Sequence, residues 1–429
     1  MYLIPIIAGA VLGLALYIYI LADDERWLLV SIVSHLLLFL RVSAGSGENP
    51  PIGITEIIFS AIFFPGLLLW FAKRLYAHEI FVKGWEDIIL IAFLVYALLG
   101  IFVSASQGFS LEKGIREFLL FVPLLLIFPV RKEAEKKNGR ALMIWALLLM
   151  SAAVGLVIIT RYRLDLLAAK YLWQVVENRQ GKEESLYMSS IIILFAFVVG
   201  NRYSKTILLP LLALEMLALA ITFSRGYWIT TALGLLGLLF FLKGQARRRM
   251  MRLTAVGVLF AAVVDVVVLP QILGSFLTGL AERLTSISTN ALTLHSRLVE
   301  SEAVLQKVSL SPVIGYGLGS LFSYFDVITH LDIRTWYIHN GYLFLLFKFG
   351  IVGFVLFISM YMKRVVTLAR LWRGTSFTDK NPFVSAILLI SLMMLFISVT
   401  SPQFYDRGSL LILSITWGIG DSLLSKKIS

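Results

Sequence analysis

Long apolar runs recur from one end of this 429-residue chain to the other. They lie at about 1–21, 27–41, 51–72, 86–106, 115–130, 141–160, 186–200, 206–223, 227–242, 253–270, 340–362, 382–400 and 408–424. A helix needs about 20 predominantly apolar residues to cross the hydrocarbon core of a bilayer. The second run is short for that length and pairs with the first as a hairpin or lies shallow. The sequence therefore predicts an all-α polytopic membrane protein with twelve or thirteen transmembrane helices.

Composition excludes the soluble classes of protein. Hydrophobic residues make up 59% of the chain and charged residues 15%, with a mean hydropathy of +0.87. The net charge of +12 would suggest nucleic acid as a partner of a soluble protein, but here it must first be sorted by side of the membrane. The chain has no cysteine, which excludes disulfides, a thiol nucleophile and a thiolate metal site. Any chemistry must therefore be built on loops and helix ends.

The basic loops fall on every second connection between the apolar runs. Together they hold 22 of the 38 Lys and Arg residues, so the positive-inside rule places them in the cytoplasm with the C-terminus. The side of the N-terminus depends on the parity of the crossings and stays open. These basic segments are 73–83, 131–140, 201–205, 243–252, 363–380 and the tail "SKKIS".

The alternate loops then face outward, and the longest spans residues 271–338. Within it, residues 292–309 place Leu294, Leu298, Leu305 and Val308 on one helical stripe, which predicts an amphipathic helix along the membrane surface. The Pro/Gly-rich stretch "SPVIGYGLGS" that follows is interpreted as a turn. We divide the chain into N-terminal membrane helices (1–270), this loop (271–338) and C-terminal membrane helices (339–429).

The charges on outward loops and helix mouths are nearly all arginine, in contrast to the mixed Lys and Arg of the inward loops. A guanidinium presents a planar fork of donors that matches phosphate oxygens, so the bias indicates anion binding. The alternative is that single arginines pair with outward acids or lipid headgroups. These arginines are Arg116, Arg161, Arg163, Arg179, Arg225, Arg283, Arg297, Arg334 and Arg407, and the acids include Glu177, Glu183, Glu282 and Glu300.

Arg225 stands out because it lies in a connection of a few residues between two apolar runs, with no acid in that connection. An unpartnered cation at the membrane boundary is costly and marks a functional site by default. Gly226 beside it permits close backbone approach. For Arg116, by contrast, Glu117 is a ready structural partner.

His339 lies at the outer entrance of the apolar run 340–362, next to Asn340. A neutral imidazole takes a proton near pH 7, and Asn340 can orient a neighbour or a sugar hydroxyl. With arginines to hold a leaving phosphate, one histidine suffices for attack by a hydroxyl on a phosphate-activated carbon. The alternative is a histidine that only caps the helix or lies at the interface. No pattern of metal ligands accompanies it, so no metal is implied.

Three residues further along the same run have separate interpretations. Lys348 is nine positions after His339, on the opposite helical face, so it is not expected to share the site of the histidine. Glu56 or Glu215 could neutralise it, and the sequence does not choose between them. Gly350 and Gly353 predict a groove for close helix packing.

Three motifs occur in order in the second half of the chain: "TFSRGYW", then "HSRLVESEAVLQKVSLSPVIGYGLGS", then "YIHNGYLFLLFKFGIVGF". In their order and membrane placement they resemble the O-antigen ligase family of polytopic bacterial glycosyltransferases, which includes polymerase-like members. The similarity covers about residues 200–360.

The resemblance implies a GT-C-type enzyme of the bacterial inner membrane that works without a cofactor or metal. Residues 271–338 would be a partly helical periplasmic loop, and the active site would face the periplasm. The enzyme would transfer a glycan, with inversion, from undecaprenyl pyrophosphate to a hydroxyl of the lipid A core oligosaccharide. The implied partners are this lipid-linked glycan, the lipid A core and membrane lipids, with no nucleic acid.

Family roles fall on three residues that match the motifs. Arg225 and Arg297 would clamp the pyrophosphate, and His339 would be the base that activates the acceptor hydroxyl, supported by Asn340. Further pyrophosphate contacts with less motif support would be Arg116 and Arg179. The family often has an acid where Lys348 stands, which weakens assignment to a subfamily.

Three other functions remain open, of which a membrane assembly scaffold gives no reason for Arg225. A Wzy-like polymerase of O-antigen or exopolysaccharide would use the same lipid carrier and the same chemistry with a different acceptor. A membrane transporter would explain charged residues within apolar runs. Against a transporter, the sequence shows no internal repeat and no Gly/Pro-broken helices in matching halves.

Overall fold

The computed structural model of the protein describes residues 3–39, 53–168, 183–201, 203–267, 291–374 and 382–428. Arg179 and the first part of the long loop, up to residue 290, lie outside the described residues. In chain order the helices are α1 (Leu3–Leu21), α2 (Asp24–Phe39), α3 (Ile54–Tyr76), α4 (Trp85–Ser106), α5 (Leu111–Leu119), α6 (Ile127–Ala134), α7 (Gly139–Ala168), α8 (Glu184–Gly200), α9 (Lys205–Ile221), α10 (Arg225–Phe241), α11 (Gly244–Val267), α12 (Ala291–Leu310), α13 (Gly341–Arg373), α14 (Pro382–Ile397) and α15 (Arg407–Ile428).

The mostly helical, polytopic character predicted from hydropathy agrees with the described helices. Four of them are long and apolar enough to cross a membrane: Ile54–Tyr76, Trp85–Ser106, Gly139–Leu164 and Gly341–Arg373. Shorter apolar helices lie at Leu12–Leu21, Glu184–Gly200, Arg225–Phe241 and Pro382–Ile397. The number of crossings and the GT-C architecture stay predictions.

The prediction of one membrane helix at 115–130 is wrong. Helix α5 ends at Leu119, a short 3-10 helix covers Val122–Leu126, and α6 begins at Ile127. Pro123 is the physical reason, because its ring lacks an N–H and clashes with the carbonyl four residues earlier, at Leu119. Two basic loops are also more helical than predicted, since α11 begins at Gly244 and α13 continues to Arg373.

The chain forms two compact units. One is built from Met1–Lys83, Leu124–Val154 and Ser414–Ser429, and the other from Gly84–Pro123 and Gly155–Leu413. In the first unit, α2 packs against α3, and Arg131 pairs with Asp421 at 2.7 Å. The second unit contains every described candidate site residue.

Helix α8 forms the centre of the second unit. Its residues from Ser185 to Val199 are buried on all faces, and α9, α10 and α14 pack around it. A helix that is apolar all round is expected in such an interior position. At one end of this bundle the predicted cytoplasmic segments meet, since Arg249 donates to the Val199 carbonyl at 3.4 Å and the Phe241 and Trp372 rings lie 4.8 Å apart. The first turn of α13 lies at the other end.

The long loop that is predicted to face outward contains the predicted helix as α12, followed by a hairpin that was not predicted. Strands β1 (Phe322–Asp326) and β2 (Leu331–Thr335) pair antiparallel with Phe322 opposite Thr335, so the fold is not purely helical. On α12, Leu298 and Leu305 are exposed while Glu300 and Val304 are buried. The exposed apolar stripe is the one predicted to lie on the membrane surface; the side chain of Leu294 lies outside the described part.

Helix α13 is interrupted at Gly350, where φ is 59° and ψ is −166°. The interpretation of Gly350 as a packing groove is therefore wrong. The turn predicted from "SPVIGYGLGS" fills the gap: Tyr316 N donates to the Phe347 carbonyl at 2.9 Å, and Ile351 N donates to the Pro312 carbonyl at 2.8 Å. The backbone groups of the turn and of the interrupted helix thus hydrogen-bond to each other inside the bundle.

Candidate active site

His339 immediately precedes the first turn of α13. Asn340 is the N-cap of that helix, and its side-chain oxygen accepts from Tyr342 N at 2.9 Å and Leu343 N at 3.1 Å. Such a cap satisfies donors that a helix end otherwise leaves unpaired. The capping oxygen of Asn340 thereby fixes where α13 begins and where His339 points.

His339 is bound by Glu300 of α12. The imidazole Nδ1 lies 2.6 Å from one carboxylate oxygen, and the backbone N of His339 donates to the other at 2.7 Å. A carboxylate only accepts, so the proton of a neutral imidazole lies on Nδ1 and Nε2 keeps its lone pair. No described residue hydrogen-bonds to that Nε2, and the side chain is 37% exposed, whereas Glu300 is buried. The arrangement presents a basic nitrogen to solvent.

Arg297 precedes Glu300 by about one turn of α12. Its charge acts on the phenol of Tyr337, whose ring lies edge-on to the His339 ring with centroids 4.9 Å apart. Within the described ranges no carboxylate lies at ion-pair distance from Arg297. Tyr337 therefore contacts the imidazole ring of His339, and the charges of Arg297 and Glu300 act on its phenol.

Several charged side chains act on the phenol of Tyr337. Burial raises the pKa of its phenol, the carboxylates of Glu184 and Glu300 raise that pKa further, and Arg297 opposes them. The ring contacts Trp336 and Tyr405, at centroid distances of 6.1 and 6.3 Å. Aromatic side chains with a polar tip are suited to a site where an apolar ring face meets hydroxyl groups.

Arg225 is the first residue of α10, and an unusual turn places it there. Phe223 is buried yet has a left-handed φ of 51°, a conformation that is costly for a bulky residue and is kept where surrounding packing enforces it. Its ring packs near Tyr162 and Trp228, with centroids 6.0 and 6.3 Å away. The turn reverses the chain between α9 and α10 and sets the Arg225 backbone at the helix start.

The segment between α14 and α15, residues 398–405, connects the Arg225 region with His339. On one side, a Cβ at Gly226 would lie 3.1 Å from the Ile397 side chain, so the glycine permits α10 to approach the end of α14. The Tyr227 hydroxyl lies 3.4 Å from that of Ser401. This is the close backbone approach predicted for Gly226.

On the other side, the same segment holds the entry to α13. Gly341 N donates to the Ser398 carbonyl at 2.8 Å. The Tyr405 hydroxyl accepts from Ile338 N at 3.1 Å and donates to the Ile338 carbonyl at 2.7 Å. Arg225 and His339 therefore lie at the same end of the second unit, tied to one short segment.

Asp406 brings the start of α8 to this end as well. Its carboxylate accepts from Ser409 N at 2.8 Å and from the Ser185 hydroxyl at 3.2 Å. Burial raises the pKa of Asp406, and the hydrogen bonds from Ser409 and Ser185 oppose that effect. Asp406 joins the first turns of α8 and α15.

The two remaining candidate arginines, Arg116 and Arg179, are not placed beside His339 by any contact described. Arg116 pairs with Glu112 at 3.0 Å on the same helix face, so the expectation that Glu117 is its partner is wrong. The structure does not describe Arg179. Both roles as pyrophosphate contacts stay predictions.

Lys348 is fully buried, and its partner is Glu117, not Glu56 or Glu215 as predicted. The ammonium lies 2.8 Å from one Glu117 oxygen and 3.0 Å from the other. Glu56 instead accepts from Gly53 N at the start of α3. As predicted, the acid that Lys348 contacts lies on another helix.

Residues 207–358 match the O-antigen ligase family model. The resemblance to this family is therefore confirmed over nearly the region expected. The matched region contains Arg225, Arg297, Glu300 and His339, whereas Arg116 and Arg179 precede it. A search of curated proteins found no match.

Within the described part of the matched region, as in the described residues elsewhere, no group of three metal-ligating side chains occurs. The residue of the candidate site that sequence reasoning missed is Glu300, which was considered only as a partner for arginines. A signal existed: Glu300 lies one turn from Arg297, on the face opposite the exposed leucines. A carboxylate on the buried face of an amphipathic helix needs a polar partner.

Proposed function

We propose that the protein transfers a glycan from undecaprenyl pyrophosphate to a hydroxyl of the lipid A core oligosaccharide, at the periplasmic face of the bacterial inner membrane. The contact between Glu300 and His339, with Arg297 beside it, is the observation that carries this proposal. The match to the O-antigen ligase family supports the general class of membrane glycosyltransferase.

In the proposed reaction, Nε2 of His339 takes the proton of the acceptor hydroxyl. The hydroxyl oxygen bonds to the anomeric carbon as the bond from that carbon to the pyrophosphate oxygen breaks, which inverts the configuration. Glu300 stabilises the imidazolium through Nδ1. Positive charge from Arg297 and Arg225 offsets the charge that develops on the leaving pyrophosphate.

The exposed stripe of α12 supports a site at the boundary of the membrane. Leu298 and Leu305 are 58% and 50% exposed, and an apolar stripe of this kind binds a bilayer surface. Arg297 and Glu300 are on the same helix. The lipid-linked donor would then reach the arginines from the membrane, and the acceptor sugar would reach His339 from water.

Purified protein incubated with lipid-linked glycan and rough lipopolysaccharide tests the proposal. The expected product is lipopolysaccharide that carries the glycan. Longer lipid-linked chains with no transfer to the lipid A core would instead identify a polymerase. No consumption of the lipid-linked donor under any acceptor condition would reject both.

A further inference from the structure

The second unit contains a buried ion pair that the proposed chemistry does not use. Lys348 of α13 is 0% exposed and Glu117 of α5 is 4% exposed. Besides each other, both bind the loop that follows α12: Lys348 donates to the Ser320 carbonyl at 2.7 Å, and Glu117 accepts from Gly319 N at 2.9 Å. Ionisable residues within a membrane bundle are costly and are retained for a purpose.

This loop, residues 311–320, is fitted closely between helices. Gly315, Gly317 and Gly319 all have positive φ, from 70° to 91°. A Cβ at Gly319 would lie 2.7 Å from Gly114 N of α5, and one at Gly315 would lie 2.7 Å from the Lys348 carbonyl. Real Cβ atoms do not approach so closely, so the glycines allow the loop to enter.

The backbone of the interrupted helix α13 holds the middle of the loop. Gly317 N donates to the Lys348 carbonyl at 2.8 Å, and Val352 N donates to the Val313 carbonyl at 3.2 Å. Tyr96 of α4 donates to the Ile314 and Phe349 carbonyls at 3.3 and 3.1 Å. The end of α12 is therefore fastened to the middle of α13.

These contacts bear on the two elements that form the candidate site. Helix α12 carries Glu300, and the residue before α13 is His339. Between them, the chain runs through the loop and the hairpin. The position of α12 relative to α13 thus depends on where the loop is fastened, 12 to 20 residues beyond Glu300.

We propose that Lys348 and Glu117 are positioning residues, which hold α12 against α13 so that Glu300 meets His339. The ion pair acts through Ser320 and Gly319 at the end of the loop. Its catalytic consequence rests on the function proposed above, whereas its structural consequence does not.

A cross-linking experiment tests the structural consequence without any substrate. The chain has no cysteine, so Glu300→Cys with His339→Cys introduces only two thiols. A short bis-methanethiosulfonate reagent joins them, and mass spectrometry measures the rate at which the joined peptides appear. Adding Lys348→Met is expected to slow cross-linking about tenfold, because removing one partner leaves a buried charge without its counter-charge.

Arg364→Met is the matched control. Arg364 lies on the same helix α13 and forms an equally buried pair with Asp87 of α4, at 2.7 Å, but it does not bind the loop by any contact described. This variant should lose stability without slowing the cross-link. Equal rates in the parent, Lys348→Met and Arg364→Met proteins would overturn the proposal.

Two further variants keep the test decisive where Lys348→Met does not fold. Glu117→Gln removes the charge of the other partner and should slow cross-linking in the same way, whereas Lys348→Arg should keep most of the rate. In the protein with Glu300 and His339 intact, Lys348→Arg should retain more transfer activity than Glu117→Gln, through kcat more than KM. Loss of transfer in the unaltered protein would reject the proposed function while leaving the cross-linking result valid.

Discussion

Glu300 binds His339 at two points: one carboxylate oxygen lies 2.6 Å from Nδ1 of the ring, and the other accepts from the backbone N at 2.7 Å. Because both the ring and its backbone are held, the imidazole has one tautomer and one orientation. Glu300 is buried, so its carboxylate cannot exchange this partner for water without opening the α12 contact.

Replacing Glu300 by Gln removes the charge that stabilises the imidazolium and leaves an amide that can also donate. We expect the rate of glycan transfer to fall by about 10²–10⁴-fold, the size of a general-base contribution. Initial transfer rates measured with saturating lipid-linked donor check this. Glu302 is two residues further on and exposed, so Glu302→Gln should leave the rate unchanged; equal losses in both variants would contradict an orienting role for Glu300.

For Arg297 the planar fork of the guanidinium is expected to matter as well as its charge. Lysine keeps the charge but binds phosphate through one point, so Arg297→Lys should lower kcat/KM by about 10–100-fold, and Arg297→Glu should lower it further. At Arg225, too, the lysine variant should lower kcat/KM less than the glutamate variant. Arg334 lies exposed on β2, and Arg334→Lys is the control. Activity that is the same with lysine and glutamate would argue against a clamp on pyrophosphate.

Tyr337 is expected to contact the acceptor sugar, because its ring is edge-on to His339 and 37% exposed. Tyr337→Ala should raise the KM for the acceptor by about 2–10-fold, the worth of one aromatic contact, while Tyr337→Phe should change it less. Titration of rough lipopolysaccharide at fixed donor measures this KM. Phe325 is exposed on the hairpin, and Phe325→Ala should have no effect on it.

Asp326 couples the hairpin to α12. The hydrogen bond from the Ser296 hydroxyl at 2.6 Å is the main cause that holds the pKa of Asp326 below its usual value. A carboxylate with a lowered folded-state pKa stabilises fully above its unfolded value of about 3.9, and this contribution is lost as pH falls through the folded value. Asp326→Asn should therefore lower the melting temperature at pH 7.

The difference between Asp326→Asn and the unaltered protein should shrink as the pH falls through the lowered folded-state pKa of Asp326, since the aspartate then becomes neutral in the folded protein as well. Thermal unfolding in detergent at pH 7 and pH 3 measures both values. Asp332 is exposed on β2, so Asp332→Asn should leave the melting temperature unchanged at either pH. A difference at Asp326 that is independent of pH would show that its charge does not matter.

Gly350 has a backbone conformation that only glycine adopts readily, and a Cβ there would collide with the Val313 carbonyl. Gly350→Ala is expected to destabilise the protein by more than about 1 kcal/mol. At Gly100 of α4 the nearest atom to such a Cβ is 3.6 Å away, which is ordinary contact. Gly100→Ala should therefore be tolerated, as the melting temperatures of the two variants will show.

The sequence predicted most helices because each apolar run is a local property of consecutive residues, whether buried, as in α8, or exposed. It also singled out Arg225, Arg297 and His339 as candidate site residues, since their residue types are unusual where they occur. It did not predict that Glu300 binds His339, because the two are 39 positions apart and either could have had another partner.

The break in α13 was missed for a related reason. The apolar pattern continues through Gly350, and tertiary contacts with the backbone of residues 312–317 and with the Tyr96 hydroxyl make the interruption stable. Likewise, Lys348 was assigned to Glu56 or Glu215 from their positions within apolar runs. Glu117 was not considered for Lys348 because the sequence analysis assigned it to Arg116, its neighbour in the helix predicted at 115–130. Pro123 instead ends α5 early.

The interruption of α13 also has a consequence for how the protein is made. Its first turns carry backbone groups around Gly350 that residues 312–317 and the Tyr96 hydroxyl satisfy, and lipid offers such groups no partner. Because synthesis proceeds from the N-terminus, those residues emerge from the ribosome before α13 does. The chain thus supplies the hydrogen-bonding residues 312–317 first. Helix α13, which needs them, can enter the membrane as a late step, when these partners are already present.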